Sequence, residues 1–129
     1  MTRVVARGWA TVDLDRAEEE LRALVVVGGP FEEATRSELL GARCRRARVA
    51  DPGASDGEPS WLVVLEPDTE GRLAAFLARH DEGWAATWTV GEEDASQARP
   101  GPLGPETLSA GRPASGPFRL LVAAATIEP

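Results

Sequence analysis

A four-residue run near the start of the chain, "GWAT" at Gly8–Thr11, returns almost unchanged as "GWAAT" from Gly83. A second echo closes each half, "VVLEP" at 63–67 and "ATIEP" at 125–129. Repeats that open and close two stretches in the same order constrain a chain to stacked copies of one unit. With 129 residues there is room for one domain around a single core. The expectation is therefore one domain, 1–129, made of module 1 (1–67) and module 2 (83–129) joined by a helix at 69–80.

The local pattern gives each half a strand, a helix and further strands. "RVVARGWATV" (3–12) is rich in β-branched and aromatic residues and predicts a strand. "DLDRAEEELRAL" (13–24) predicts a helix capped by Asp13, with Ala17, Leu21 and Leu24 on one face. Pro30 suits the first turn of a short second helix that Gly41 would end. Strands follow at 42–49 and at 61–66, where Pro67 stops the run. Residues 50–60 have a loop composition. The segment 69–80 is amphipathic, with Leu73, Phe76, Leu77 and His80 sharing a face. A strand at 83–90 is followed by an acidic stretch with room for one or two helical turns. The Pro- and Gly-rich segment 99–117 leaves room for one short strand near Glu106–Leu108. A strand at 118–127 ends the chain.

Composition excludes several classes of function. A net charge of −7 argues against a nucleic-acid partner, since phosphate binding needs a surplus of basic residues. All basic residues are arginine, which biased codon usage explains. The single cysteine rules out an intrachain disulfide and fits a reducing cytoplasm. The apolar runs are too short to span a bilayer, and no signal peptide is visible at the start. The expectation is a soluble cytoplasmic protein with no membrane partner.

"LEPDTEGRLAAFLARHDEGWAATWTV" (65–90) resembles the middle of the vicinal oxygen chelate superfamily, and is most similar to methylmalonyl-CoA epimerases. "VDLDRA" (12–17) and "LLGARC" (39–44) resemble other turns of the same domains. The resemblance implies two βαβββ modules whose sheets curl around a cavity, the second one abbreviated here; the alternative fold is a ferredoxin-like α+β sandwich. It also implies a homodimer, and a divalent metal held by His, Glu or Gln on the first and last strands of each module. The matching positions are Ala6 or Arg7 (or Trp9, through the internal echo) and Trp84 or Ala85, none of which is such a ligand. Glu66 and Glu128 remain on the closing strands. No cofactor is therefore expected; a divalent metal is the alternative, with Glu66 and Glu128 and water around a hard cation, though a full ligand set is not evident.

The remaining chemistry is aromatic and acidic. Trp84, Ala86 and Trp88 alternate to one face of a strand, with Ala86 leaving a gap between two indoles. With Trp9 and Trp61 they would wall a pocket in which Glu66 and Glu128 are polar or cation-pairing points; core packing is the competing reading. The leading expectation is non-catalytic binding or sequestration of a small, partly aromatic or cationic molecule, as the bleomycin-resistance members of the superfamily imply. The alternative is an isomerase or lyase related to the epimerases and glyoxalases, with Glu66 or Glu128 as base. Arg46 and Arg48 share one face of a strand and Arg43 and Arg45 the other, as an anion clamp or as a solvated edge paired with acids. His80, at a helix end, and Cys44, buried, have structural readings.

Overall fold

In a computed structural model the described residues are 3–24, 29–49, 61–90, 98–108 and 118–122. The chain runs β1 (Arg3–Ala10), α1 (Leu14–Leu24), β2 (Glu32–Ser37), β3 (Ala42–Arg48), β4 (Trp61–Pro67), α2 (Arg72–His80), β5 (Gly83–Val90), β6 (Glu106–Leu108) and β7 (Phe118–Val122). The loop expected at 50–60, the helical turns expected from Gly91 and the end of the last strand lie outside the described residues.

The seven strands form one sheet in the order β2-β3-β4-β1-β5-β7-β6. β1 pairs parallel with β4 and antiparallel with β5, and β5 pairs parallel with β7. The two "GWA" strands thus lie side by side at the centre, each flanked by the strand that closes its half.

β2 and β6 are opposite edges, and six strand spacings would hold them about 29 Å apart in a flat sheet. Instead Ser37 on β2 hydrogen-bonds Glu106 on β6 at 2.8 Å. Around this contact the Glu38 N–H donates to the Pro100 carbonyl (3.1 Å), Arg46 donates to the Pro102 carbonyl (2.9 Å), and Arg99 pairs with Glu38 at 3.4 Å. The sheet therefore curls and brings its two edge strands into contact.

Curling gives the sheet an inner and an outer face with separate cores. The inner core joins Ala6, Cys44, Val63, Leu65, Ala86, Trp88 and Leu120, with Leu73 and Phe76 of α2 closing it. The outer core packs Leu14, Ala17 and Leu21 of α1 on Leu62 and Val64. α1 starts as the sequence predicts: the Asp13 carboxylate accepts from the Arg16 N–H at 3.2 Å. Glu66 accepts from the Leu14 N–H at 3.3 Å, so two of the orphaned amides of the first turn are satisfied. No helix among the described residues is long and apolar enough to cross a membrane.

One element differs in kind. The helix expected between Pro30 and Gly41 is instead strand β2 and a turn. Cross-strand electrostatics explain the change: Glu32 and Glu33 lie opposite Arg46 and Arg45, and Glu33 also binds Arg43 at 2.8 Å. A helix would have scattered those acids away from the arginines of β3. β2 also supplies a third strand beside β3 and β4.

Candidate functional site

Trp88 anchors the inner face. It is fully buried, and its indole presses so close to β1 that a Cβ on Gly8 would lie 2.7 Å from the ring. Its Nε1–H donates to Glu106 Oε1 at 2.8 Å, and the Ser37 hydroxyl donates to Oε2 at 2.8 Å. Ser37 in turn accepts from the Leu40 N–H at 3.3 Å. Glu106 is 0% exposed. Burial pushes its carboxyl up to about 7, against the pull of the two donors, which favour the ionised form.

Glu106 is separated from a cavity by one glycine. Any side chain at Gly101 would overlap the Glu106 carboxylate, so only a glycine backbone fits against it. Gly101 also borders a cavity of about 380 Å³, walled by Thr35, Arg99, Pro100 and Pro105. A carboxyl that titrates near neutrality behind a one-residue wall is a fitting acid–base group. Local pattern predicts a short strand at Glu106–Leu108 and gives Glu106 no role. The available signal was a lone acid in a stretch of Pro and Gly.

The structure divides the four tryptophans between two faces, Trp61 and Trp88 on the inner one and Trp9 and Trp84 on the outer one. β5 carries a bulge: Gly8 pairs with Ala86 but Trp9 pairs with Trp84, so Ala85 is an extra residue in the strand. One extra residue reverses every side chain beyond it. Trp88 and Ala86 therefore face inward, while Trp84 joins Trp9 on the outer face against the α1 core. Trp9 and Trp84 meet edge to face, centroids 5.1 Å apart, with the Arg7 guanidinium 4.0 Å above Trp84. Trp61 stands on the inner side, with the Arg46 and Arg48 guanidiniums each 4.5 Å from its ring.

The other candidates are placed as follows. Glu66 sits at the α1 N-terminus on the outer face, and Glu128 lies outside the described residues. Cys44 is fully buried in the inner core, and burial pushes its thiol well above the usual range. His80 is exposed at the end of α2, its ring 4.8 Å from that of Phe76. The arginines divide between faces as alternation predicts. Arg43 and Arg45 bind Glu33, and Arg45 also binds Asp15 and Glu18 of α1.

The described residues do not fit the divalent metal that the fold family implies. Ala6, Arg7, Trp9, Trp84 and Ala85 offer no imidazole or carboxylate, and no three His, Cys, Asp or Glu side chains cluster among the described residues. Glu106, with only Trp88 and Ser37 as its polar partners, is a single carboxylate and makes no ligand set by itself.

No protein-family model matches the chain, and no curated protein does. Solved structures do. A variant of the Streptomyces coelicolor methylmalonyl-CoA epimerase, bound to 2-nitronate-propionyl-CoA, is 25% identical, with a TM-score of 0.66 over 97% of this chain and 99% of its own. A methylmalonyl-CoA epimerase in complex with methylmalonyl-CoA and NH4+ is 24% identical, with a TM-score of 0.67 over 100% and 99%. The Mycobacterium tuberculosis methylmalonyl-CoA epimerase is 16% identical, with a TM-score of 0.65 over 98% and 89%. The chain has the fold of the vicinal oxygen chelate superfamily, to which these epimerases belong. These neighbours are enzymes, and they overturn the expectation of a non-catalytic sequestration protein in favour of the epimerase-related alternative.

Proposed function

We propose that the chain is an isomerase of the epimerase type, acting at the carbon next to the carbonyl of an acyl thioester, with Glu106 as its acid–base group. The observation that carries the reaction class is the match along the whole chain to epimerases bound to acyl-CoA ligands. The near-neutral carboxyl behind Gly101 supports the choice of residue.

The chemistry needs a base strong enough to take a carbon-bound proton yet ionised at working pH. An ordinary Glu near pKa 4.3 is ionised but weak. Raising the carboxyl to about 7 strengthens it while leaving about half of it charged at neutrality. Glu106 takes the α-proton, the C–H electron pair becomes the enolate double bond, and the negative charge moves to the thioester oxygen. Return of a proton to the other side of that carbon gives the epimer, with no change of oxidation state. Trp88 and Ser37 fix the carboxylate during both transfers. Inversion requires a second proton donor across the carbon, and the sequence offers Glu128 for that role.

The test is proton exchange, which reads the first step alone. Methylmalonyl-CoA incubated in D2O should lose its α-proton signal in the presence of the protein, faster as pH rises through about 7. Glu106→Gln should slow the exchange by at least about 100-fold. No exchange with the wild-type protein would remove the reaction class, and equal exchange by the variant would remove Glu106.

A further inference from the structure

A second cavity, of about 270 Å³, lies apart from Glu106, between α2 and the start of β7. Phe76 and Phe118 form its floor, their centroids 6.3 Å apart and their planes at 65°. Arg72, Arg79 and His80 form its walls, and the small Ala75 leaves the floor open between them. Phe76 is also the ring with which α2 closes the inner core, so this groove sits on top of the inner face.

The charge here runs against that of the whole molecule. The chain carries a net −7, yet α2 has no carboxylate between Arg72 and His80. The acids that flank the helix are Glu70, Asp81 and Glu82. Glu82 is turned elsewhere, toward Arg16 and the Val12 N–H. Basic residues in a last helical turn complement the helix dipole, which accounts for Arg79 and His80. It does not account for Arg72, the first residue of the helix, where a cation opposes the dipole. Arg72 donates one hydrogen bond to the Leu39 carbonyl at 3.0 Å, and a guanidinium has further N–H groups to offer. Arg72 and Arg79 are seven apart on one stripe of the helix, so they bracket the aromatic floor about 10 Å from one another.

We infer that this groove binds a phosphorylated flat heterocycle, the nucleotide end of an acyl-CoA. Arg72 and Arg79 each meet a phosphate group of the nucleotide, by the bidentate geometry that suits guanidinium, and the two phenylalanine rings support the base. The cavity falls just below the ~300–1,000 Å³ of small-molecule sites, which suits one nucleoside phosphate rather than a whole coenzyme. The choice of a nucleotide rests on the acyl-thioester reading above. The groove itself rests only on its own geometry.

Isothermal titration of the full chain with adenosine 3′,5′-bisphosphate tests this directly. The wild-type protein should bind it, less tightly as salt rises. Arg79→Glu should weaken binding by at least about tenfold, and Arg79→Lys should restore part of the loss. Inorganic phosphate should bind at least about tenfold more weakly than the bisphosphate, since it makes no use of the rings. Absence of binding, an unchanged affinity in Arg79→Glu, or phosphate binding as tightly as the nucleotide would each overturn the inference. The two readings fail separately. Arg79-dependent binding without α-proton exchange leaves the groove standing and removes the isomerase. Exchange without such binding does the reverse.

Discussion

Trp84 and Trp88 stand four residues apart on one strand and belong to different worlds. Trp88 faces the inner core, fully buried, with its N–H spent on a buried carboxylate. Trp84 faces outward, half-buried, beneath an arginine and against the edge of Trp9. A single bulge at Ala85 separates them. The lesson is that aromatic spacing predicts a shared face only where the strand is regular. The inner face is a polar keystone inside a hydrophobic core, and the outer face is ordinary packing dressed with ion pairs.

Removing each ring should expose that difference most strongly. Trp88→Ala empties the centre of the inner core and leaves Glu106 one donor short, so it should cost about 4 kcal/mol or more in urea denaturation. Trp84→Ala opens space already near solvent and should cost on the order of 2 kcal/mol. Equal losses at the two positions would mean that the faces are not energetically distinct.

The pH response should differ in sign between groups on the two faces. Burial lifts the Glu106 carboxyl from 4.5 to about 7, so the folded chain holds a proton that the unfolded chain has released. Its stabilising contribution is fully present below pH 4.5 and is lost as pH rises through 7, about 3 kcal/mol at the limit. On the outer surface, Arg45, Arg43 and Arg36 hold the carboxyls of Asp15, Glu33 and Asp68 below their usual range. Their contribution is present at neutral pH and is lost as pH falls. Thermal melts of the wild-type protein and Glu106→Gln from pH 4 to 8 isolate the buried group. The difference between the two should drift across that range; a flat difference would show that Glu106 keeps an ordinary pKa.

Much of this was legible in the sequence, and the parts that were not share a cause. The capped helix α1, the strand ended by Pro67, the amphipathic α2 and the short strand at Glu106–Leu108 follow from local pattern and stand where expected. β2 departs from the helix that local pattern predicts because its strand character comes from Arg43, Arg45 and Arg46, which are cross-strand partners rather than neighbours in sequence. The contact of Ser37, Trp88 and Glu106 is hidden in the sequence for the same reason. Ser37, Trp88 and Glu106 meet only because the two sheet edges come round to each other, and no period along the chain announces that. Glu66, one of the candidates, lies at a helix N-terminus, where it accepts from the Leu14 N–H.

Gly8 offers a gentler probe of how tightly the inner face is packed. A methyl group there would press the Trp88 ring at 2.7 Å and Leu65 at 3.0 Å. Both neighbours are fully buried in the inner core. Gly8→Ala should therefore lower stability by about 1–3 kcal/mol. Gly29→Ala, where a Cβ meets nothing within 4 Å, should leave the melting temperature within experimental scatter. A harmless Gly8→Ala would show that the inner core yields more readily than its contacts suggest.

The smallest effect sharpens the comparison furthest, because it asks about a single N–H on each face. The Trp9 Nε1 is buried with no hydrogen-bond partner among the described residues. Phenylalanine keeps an aromatic ring against Trp84 and discards that unsatisfied donor, so the gain offsets much of the lost area. Trp9→Phe should change stability by less than about 1 kcal/mol. Trp88→Phe makes the same chemical change but strips a donor from a buried carboxylate that depends on it. It should cost clearly more, and it should raise the pH at which Glu106 ionises, because a donor that favours the charged form is gone. If the two phenylalanine variants melted alike and showed the same pH dependence, the indole of Trp88 would be filling space like its outer-face counterpart, and Glu106 would owe its position to Ser37 alone.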